Sequence, residues 1–250
     1  MCPGFLCALL LLLSGCATYN AATGRNEVIW ISTSSEVSMG RDVHREISSK
    51  YKVIEEGQEF DRLNRIGQRV ARVSDRQDFQ YHFYLVESDE INAFTVPGGN
   101  VYFFTGLFRK MPSDDTIAAV LAHEVGHSAA KHTVKKFQAA MGYNVVRDLV
   151  MNVLAVKAPQ AKTIAQLGAD GVMGLSMSAY GRHDEYEADK LGIKYLYLAG
   201  YDLNAMIKTF EILQENSKGD HTPLILRTHP FIKDRMEAAK KEIESVKQTL

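Results

Sequence analysis

The stretch AHEVGHSAAKH, residues 122–132, places three histidines and one glutamate within eleven positions. On an α-helix, residues four apart are separated by about 40° around the axis, so His123 and His127 share a face and Glu124 lies between them in projection. Two imidazoles on one face, with a carboxylate able to reach a water near them, form the pattern H-E-x-x-H. Its chemistry is the binding of one Zn²⁺, with the glutamate as general base. Residues nine apart differ by about 180°, so His132 is expected to point away from His123 and to be a structural or surface histidine. Gly126 costs a helix about 1 kcal/mol relative to alanine, a cost that a close approach of backbone or substrate would explain.

The helix that carries the motif has a readable start. Ser113 is a good N-cap, Asp114 and Asp115 suit the positive end of the dipole, and Ile117, Val120 and Leu121 supply apolar spacing. A catalytic zinc needs a third protein ligand and an open position for water. The extension HxxGxxH, which supplies a third histidine in one class of enzymes, is excluded because Thr133 stands there. Glu185-Tyr186-Glu187-Ala188-Asp189 offers two carboxylates four apart, one to bind metal and one to hold a ligand's orientation. The same spacing also suits a solvated helix face.

Upstream, Phe60, Leu63, Ile66, Val70 and Val73 recur at steps of three and four, and Val37, Val43 and Ile47 mark an earlier helix from Ser34. The period then changes to two. Phe79, Tyr81, Phe83 and Leu85 alternate with Gln80, His82 and Tyr84, and further strands are expected at Ala93–Val96 and Val101–Phe104 around Pro97-Gly98-Gly99. Downstream, residues 141–180 read as buried or interfacial helices without a transmembrane span. A final helix aligns Ile232, Met236, Ala239, Ile243, Val246 and Leu250. The fold class is therefore α+β: helices, a small sheet of three or four strands beside the HExxH helix, then more helices.

The chain has 250 residues, 46% of them apolar and 24% charged, which is ordinary for a folded domain. A formal net charge of −1 supplies no field for polyanions, so nucleic acid is not expected as a partner. All three cysteines (Cys2, Cys7, Cys16) fall in MCPGFLCALLLLLSGC, so the body of the chain holds no cysteine nucleophile and no cysteine-type zinc site. Phe5–Leu13 is an apolar run of signal-peptide length, although no Lys or Arg precedes it. Leu13-Ser14-Gly15-Cys16 resembles a bacterial lipobox. That resemblance implies removal of residues 1–15, lipidation of Cys16 and, with Ala17 next, an outer-membrane lipoprotein facing the periplasm. Residues 16–33 then read as a tether and 34–250 as the domain.

HEVGH and EYEAD, together with INAFTVPGGNVYFFTGLF (91–108) and RTHPFIKDR (227–235), resemble the zinc metallopeptidase family that includes HtpX, the CAAX prenyl endopeptidases and BepA. The chain is nearest its short bacterial lipoprotein branch of the LoiP/YcaL type. The likeness implies a zincin-type, gluzincin-like domain with His123, His127 and Glu185 as zinc ligands, Glu124 as base and Asp189 supporting the site. His229 and Arg235 match a histidine and an arginine near the cleft, the histidine catalytic or metal-capping. Asn92, Ala93 and Phe94 match the edge that receives an extended substrate. The implied activity is hydrolysis of unfolded or misassembled envelope proteins. One rival is a chaperone-like assembly factor for outer-membrane proteins that cleaves rarely; another is a latent protease covered by residues near 150–180 or by His229.

Overall fold

The computed structural model describes residues 17–142, 174–217 and 222–248. Its sheet is built on the alternation noted above. Strands β3 (Val53–Ile54), β4 (His82–Val86), β5 (Ala93–Val96) and β6 (Asn100–Phe104) form one sheet in the order β3-β4-β6-β5. β4 and β6 run parallel, and the other pairs are antiparallel. β4 starts later than the alternation predicts, because the Tyr81 carbonyl accepts from Gln68 Nε2 (3.0 Å). β5 and β6 are joined by Pro97-Gly98-Gly99, with φ of 79° at Gly98 and 76° at Gly99, a left-handed pair that suits glycine. β5 is the edge strand next to the turn, with β6 as its one partner among the described residues.

Both faces of the sheet are covered, which is why β6 reads as an unbroken apolar run. Val101 and Phe103 join a large core with Phe83, Leu85 and Leu63, Ile66 and Val70 of helix α2 (Gln58–Ala71). Tyr102 and Phe104 face the other way, onto Met39, Val43 and Ile47 of α1 (Thr33–Lys50) and onto Val134 and Phe137. Met39, not Val37, completes the buried stripe of α1. A short α3 (Thr105–Phe108) leads into α4 (Asp114–Ala129), and a further helical run covers residues 132–142. Then follow α5 (Arg182–Ala199), α6 (Asn204–Glu215), α7 (Leu224–Thr228) and α8 (Ile232–Gln248).

α4 is the central element, buried at every position from Thr116 to Ala129. Ser113 and Thr116 cap it reciprocally, each side chain accepting from the other's backbone N–H. A buried ion pair braces its far end: Arg76 pairs with Glu36 of α1 and donates to the Ser128 carbonyl (3.1 Å), while Glu36 accepts from Gly98 N–H (3.1 Å). α8 carries the expected stripe, with Ala239 and Ile243 buried and Ile232, Met236 and Val246 packed partly against the core. Leu250 and residues 143–173 lie outside the described residues. Among the described residues no helix is long and apolar enough to cross a membrane.

Within the stretch expected to be a tether, residues 17–28 are folded. β1 (Ala17–Asn20) and β2 (Arg25–Val28) pair as an antiparallel hairpin. Its strands are too short and too polar to show in apolar alternation. Ion pairs hold it to the domain: Lys135–Glu27 at 2.7 Å and Arg25–Glu187 at 2.8 Å.

Candidate metal centre and active site

The site is made where α4 crosses α5. A Cβ on Gly126 would stand 2.7 Å from the Ala188 carbonyl, and one on Gly192 would stand 3.2 Å from the His123 nitrogen. The glycine in the motif is thus explained by backbone approach rather than by substrate. The close crossing swings the acidic face of α5 onto the histidine face of α4.

One donor atom from each of His123, His127, Glu185 and His229 lies within 4.8 Å of the others, and all four residues are buried. His127 Nε2 is 3.1 Å from His123 Nε2 and 3.3 Å from Glu185 Oε1. His229 Nδ1 is 3.2 Å from His123 Nε2 and 3.0 Å from Glu185 Oε1. Nitrogen and carboxylate donors converging on one point are the donor set of a zinc site. Glu124, on the same helix, is fully buried, neither of its oxygens accepts a hydrogen bond, and His229 Nε2 is 3.5 Å away. An unsatisfied buried carboxylate beside such a set fits a residue whose partners arrive with metal and substrate.

The surrounding residues hold the donors in place. Asp189 Oδ1 lies 2.8 Å from His123 Nδ1, so a proton on Nδ1 leaves Nε2 free for metal. Arg235 clamps Asp189 with two donors, Nε and Nη2, each at 2.7 Å. Its Nη1 pairs with Glu185 and donates to the His229 carbonyl (3.2 Å). Burial works against charge on Glu185, yet Arg235, His229 and the bonds from His127 and His229 keep its carboxyl well below the usual range. Burial likewise opposes charge on Asp189, and Arg235 outweighs it, so its pKa is lowered too. Burial pushes the His127 imidazole far below its ordinary value, which keeps it neutral as a ligand must be.

His132 is where the helical projection fails. α4 ends at Ala129, Lys131 takes a left-handed φ of 59°, and helix resumes at 132. The break turns His132 back toward the site, with its Nδ1 2.9 Å from His127 Nδ1 and its Nε2 3.2 Å from Glu187 Oε2. A His127 that binds through Nε2 carries its proton on Nδ1 and donates it to His132, which in turn donates to Glu187. Tyr180 is the other residue the motif did not reveal. Its ring stacks on His127 at 3.9 Å between centroids, and Lys136 Nζ sits 3.5 Å over its far face. Burial brings Lys136 down to about 8, against the pull of Glu185, Glu124 and Asp184. No spacing rule connects Tyr180 or Lys136 to the motif.

Of the residues expected to meet substrate, Asn92 immediately precedes β5, and both polar atoms of its fully buried side chain lack partners. Ala93 packs into the main core, and Phe94 stacks on Tyr102 at 5.1 Å, so their backbone, not their side chains, faces the edge. Nearby, Ile225 N–H donates to the Ile91 carbonyl (3.1 Å), bringing the segment that carries His229 alongside this edge. A small, mainly apolar pocket adjoins Glu124 and His229. Val120, Met206, Phe210, Leu213 and Ile225 line it.

A buried HExxH helix crossed by a helix bearing the third donor, beside a small mixed sheet, defines a zincin-type metallopeptidase domain. Residues 57–243 match Peptidase family M48, and the chain belongs to that family. It is 30% identical over 214 residues to the beta-barrel assembly-enhancing protease of Escherichia coli (strain K12), covering 84% of this chain and 44% of that protein. The protein of the same name from Yersinia pestis is 28% identical over 221 residues, covering 87% of this chain and 46% of that one. The mitochondrial metalloendopeptidase OMA1 of Schizosaccharomyces pombe is 26% identical over 219 residues, 82% of this chain and 60% of that protein. The chain thus spans about half the length of the relatives it matches.

Proposed function

We propose that this protein is a zinc-dependent endopeptidase of the bacterial envelope that hydrolyses unfolded or misassembled proteins. The observation that carries the reading is the convergence of His123, His127 and Glu185 next to the unsatisfied carboxylate of Glu124. When bound, Zn²⁺ supplies Lewis acidity that polarises the scissile carbonyl and makes water acidic enough to be deprotonated near neutral pH. Glu124 accepts the proton of the attacking water and returns it to the amine nitrogen as the C–N bond breaks. The edge at Asn92–Phe94, which has no second strand partner among the described residues, aligns an extended chain by backbone pairing. The apolar pocket favours an apolar side chain beside the scissile bond. The names of the bacterial relatives, which refer to beta-barrel assembly, support β-barrel proteins as clients. Leu13-Ser14-Gly15-Cys16 supports lipidation at Cys16 and an outer-membrane location facing the periplasm.

The decisive comparison is zinc content and casein cleavage of wild type and Glu124→Gln. The expected result is equal zinc and a loss of cleavage of at least about a hundredfold, in line with general-base contributions. Native-rate cleavage by the variant would remove Glu124 from the mechanism. A second reading, latency, is favoured by His229, which adds a fourth protein donor to the cluster, whereas a catalytic zinc site has three protein donors and one open position. Faster cleavage by His229→Ala supports latency; unchanged or lower cleavage opposes it. Rescue of an assembly defect by Glu124→Gln would instead support the chaperone-like role.

A further inference from the structure

The hairpin β1–β2 divides its residues by chemistry. Thr18, Asn20, Arg25 and Glu27 are paired across one face, and from that face Glu27 binds Lys135 and Arg25 binds Glu187. The other face presents Ala17, Tyr19, Asn26 and Val28, and Trp30 follows two residues on. Tyr19 is 64% exposed, Val28 60% and Trp30 59%, the three most exposed large hydrophobics among the described residues. No charged residue interrupts them. Gln138 secures the strand behind them, its Oε1 accepting from Trp30 N–H (3.0 Å) and its Nε2 donating to the Val28 carbonyl (2.9 Å). The patch is therefore a fixed part of the domain.

We propose that this face docks on the interfacial layer of a phospholipid bilayer and seats the domain against it. The inference rests on the reading of Cys16 as the acylated residue. Ala17, the first residue of β1, directly follows Cys16. A chain advances at most about 3.6 Å per residue, so an acyl chain at Cys16 holds Tyr19 within about 11 Å of its attachment point. Tyrosine and tryptophan are the side chains that favour the headgroup level, where an apolar ring and a polar edge are both satisfied. A second protein copy is the poorer occupant, because five residues fall far short of the roughly 20–30 per side of a stable interface. With no charge on the face, docking does not depend on anionic lipid or on salt. Arg25–Glu187 then links the membrane-facing hairpin to α5 two residues beyond Glu185.

Trp30 is the only tryptophan in the chain, so its fluorescence reports this face alone. The full chain, purified from membranes, is reconstituted into vesicles of zwitterionic phospholipid with brominated acyl chains, and mass spectrometry of its N-terminal peptide reports acylation independently. Docking predicts blue-shifted Trp30 emission, quenching by the brominated chains and protection from aqueous iodide, unchanged when anionic lipid or salt is added. Tyr19→Ser with Val28→Ser, both exposed and outside the core, should weaken the bromine quenching severalfold. Trp30 open to iodide and untouched by bromine overturns docking, whatever the acylation state. A blue shift that needs no vesicles and grows with protein concentration assigns the face to self-association and also overturns it. An unacylated peptide with quenched Trp30 removes the lipid anchor and leaves docking standing.

Discussion

His127 binds or fails to bind metal according to which ring nitrogen carries the proton, and that is set by a residue with no place in the HExxH pattern. The contacts from His127 Nδ1 to His132 and from His132 to Glu187 point the free lone pair at the cluster. Replacing His132 by alanine should lower zinc affinity about 10–100-fold, the usual cost of removing an orienting partner, while the protein stays folded. Chelator competition measures the affinity and circular dichroism the fold; an unchanged affinity would reduce His132 to packing. His123, Glu124 and His127 are legible in the sequence because one turn of helix fixes their geometry. Glu185 is not, since its pairing with Asp189 looks like any solvated face until α5 is laid across α4; only the likeness to a family singles it out. His132 is misread for a definite reason, the break in helix at Lys131.

Among the elements, the crossing of α4 and α5 decides whether the donors meet. Gly126→Ala should gain about 1 kcal/mol in helix propensity but add a Cβ 2.7 Å from the Ala188 carbonyl, a backbone atom that cannot rotate aside. Overpacking of this kind costs about 1–3 kcal/mol, so a net loss of stability is expected, together with weaker zinc binding as the helices part. Denaturant midpoints and chelator competition on the same variant check both effects; a more stable variant with native affinity would refute the close crossing. The β1–β2 hairpin gives a pH-dependent test. Burial raises the pKa of Glu27, but Lys135, Asn20 and Thr23 outweigh it and the folded value is lowered. The stability Glu27 adds is complete above the unfolded value of about 4.3 and is lost as pH falls through the lower folded value. Trp30 emission should report undocking of the hairpin in that window for wild type, and a weaker, flatter profile for Glu27→Gln. Superimposable profiles would exclude Glu27 as the clasp.

For the whole molecule, the sequence places α1, α2, β4 to β6, α4 and α8, whose apolar periods are clear, but not the two-residue β3 or the individual helices α3, α5, α6 and α7. Nor does it place the folded hairpin, because four-residue strands such as ATYN and RNEV have little apolar content and owe their place to ion pairs with residues far along the chain. These parts meet in one proposal: that α4 and α5 together hold a single zinc ion through His123, His127 and Glu185. Anomalous diffraction at the zinc edge from crystals of the metal-loaded protein tests it most directly. The account predicts one peak, about 2.0–2.2 Å from His123 Nε2, His127 Nε2 and a Glu185 oxygen. A peak that excludes Glu185, or zinc bound at another place on the molecule, would contradict it.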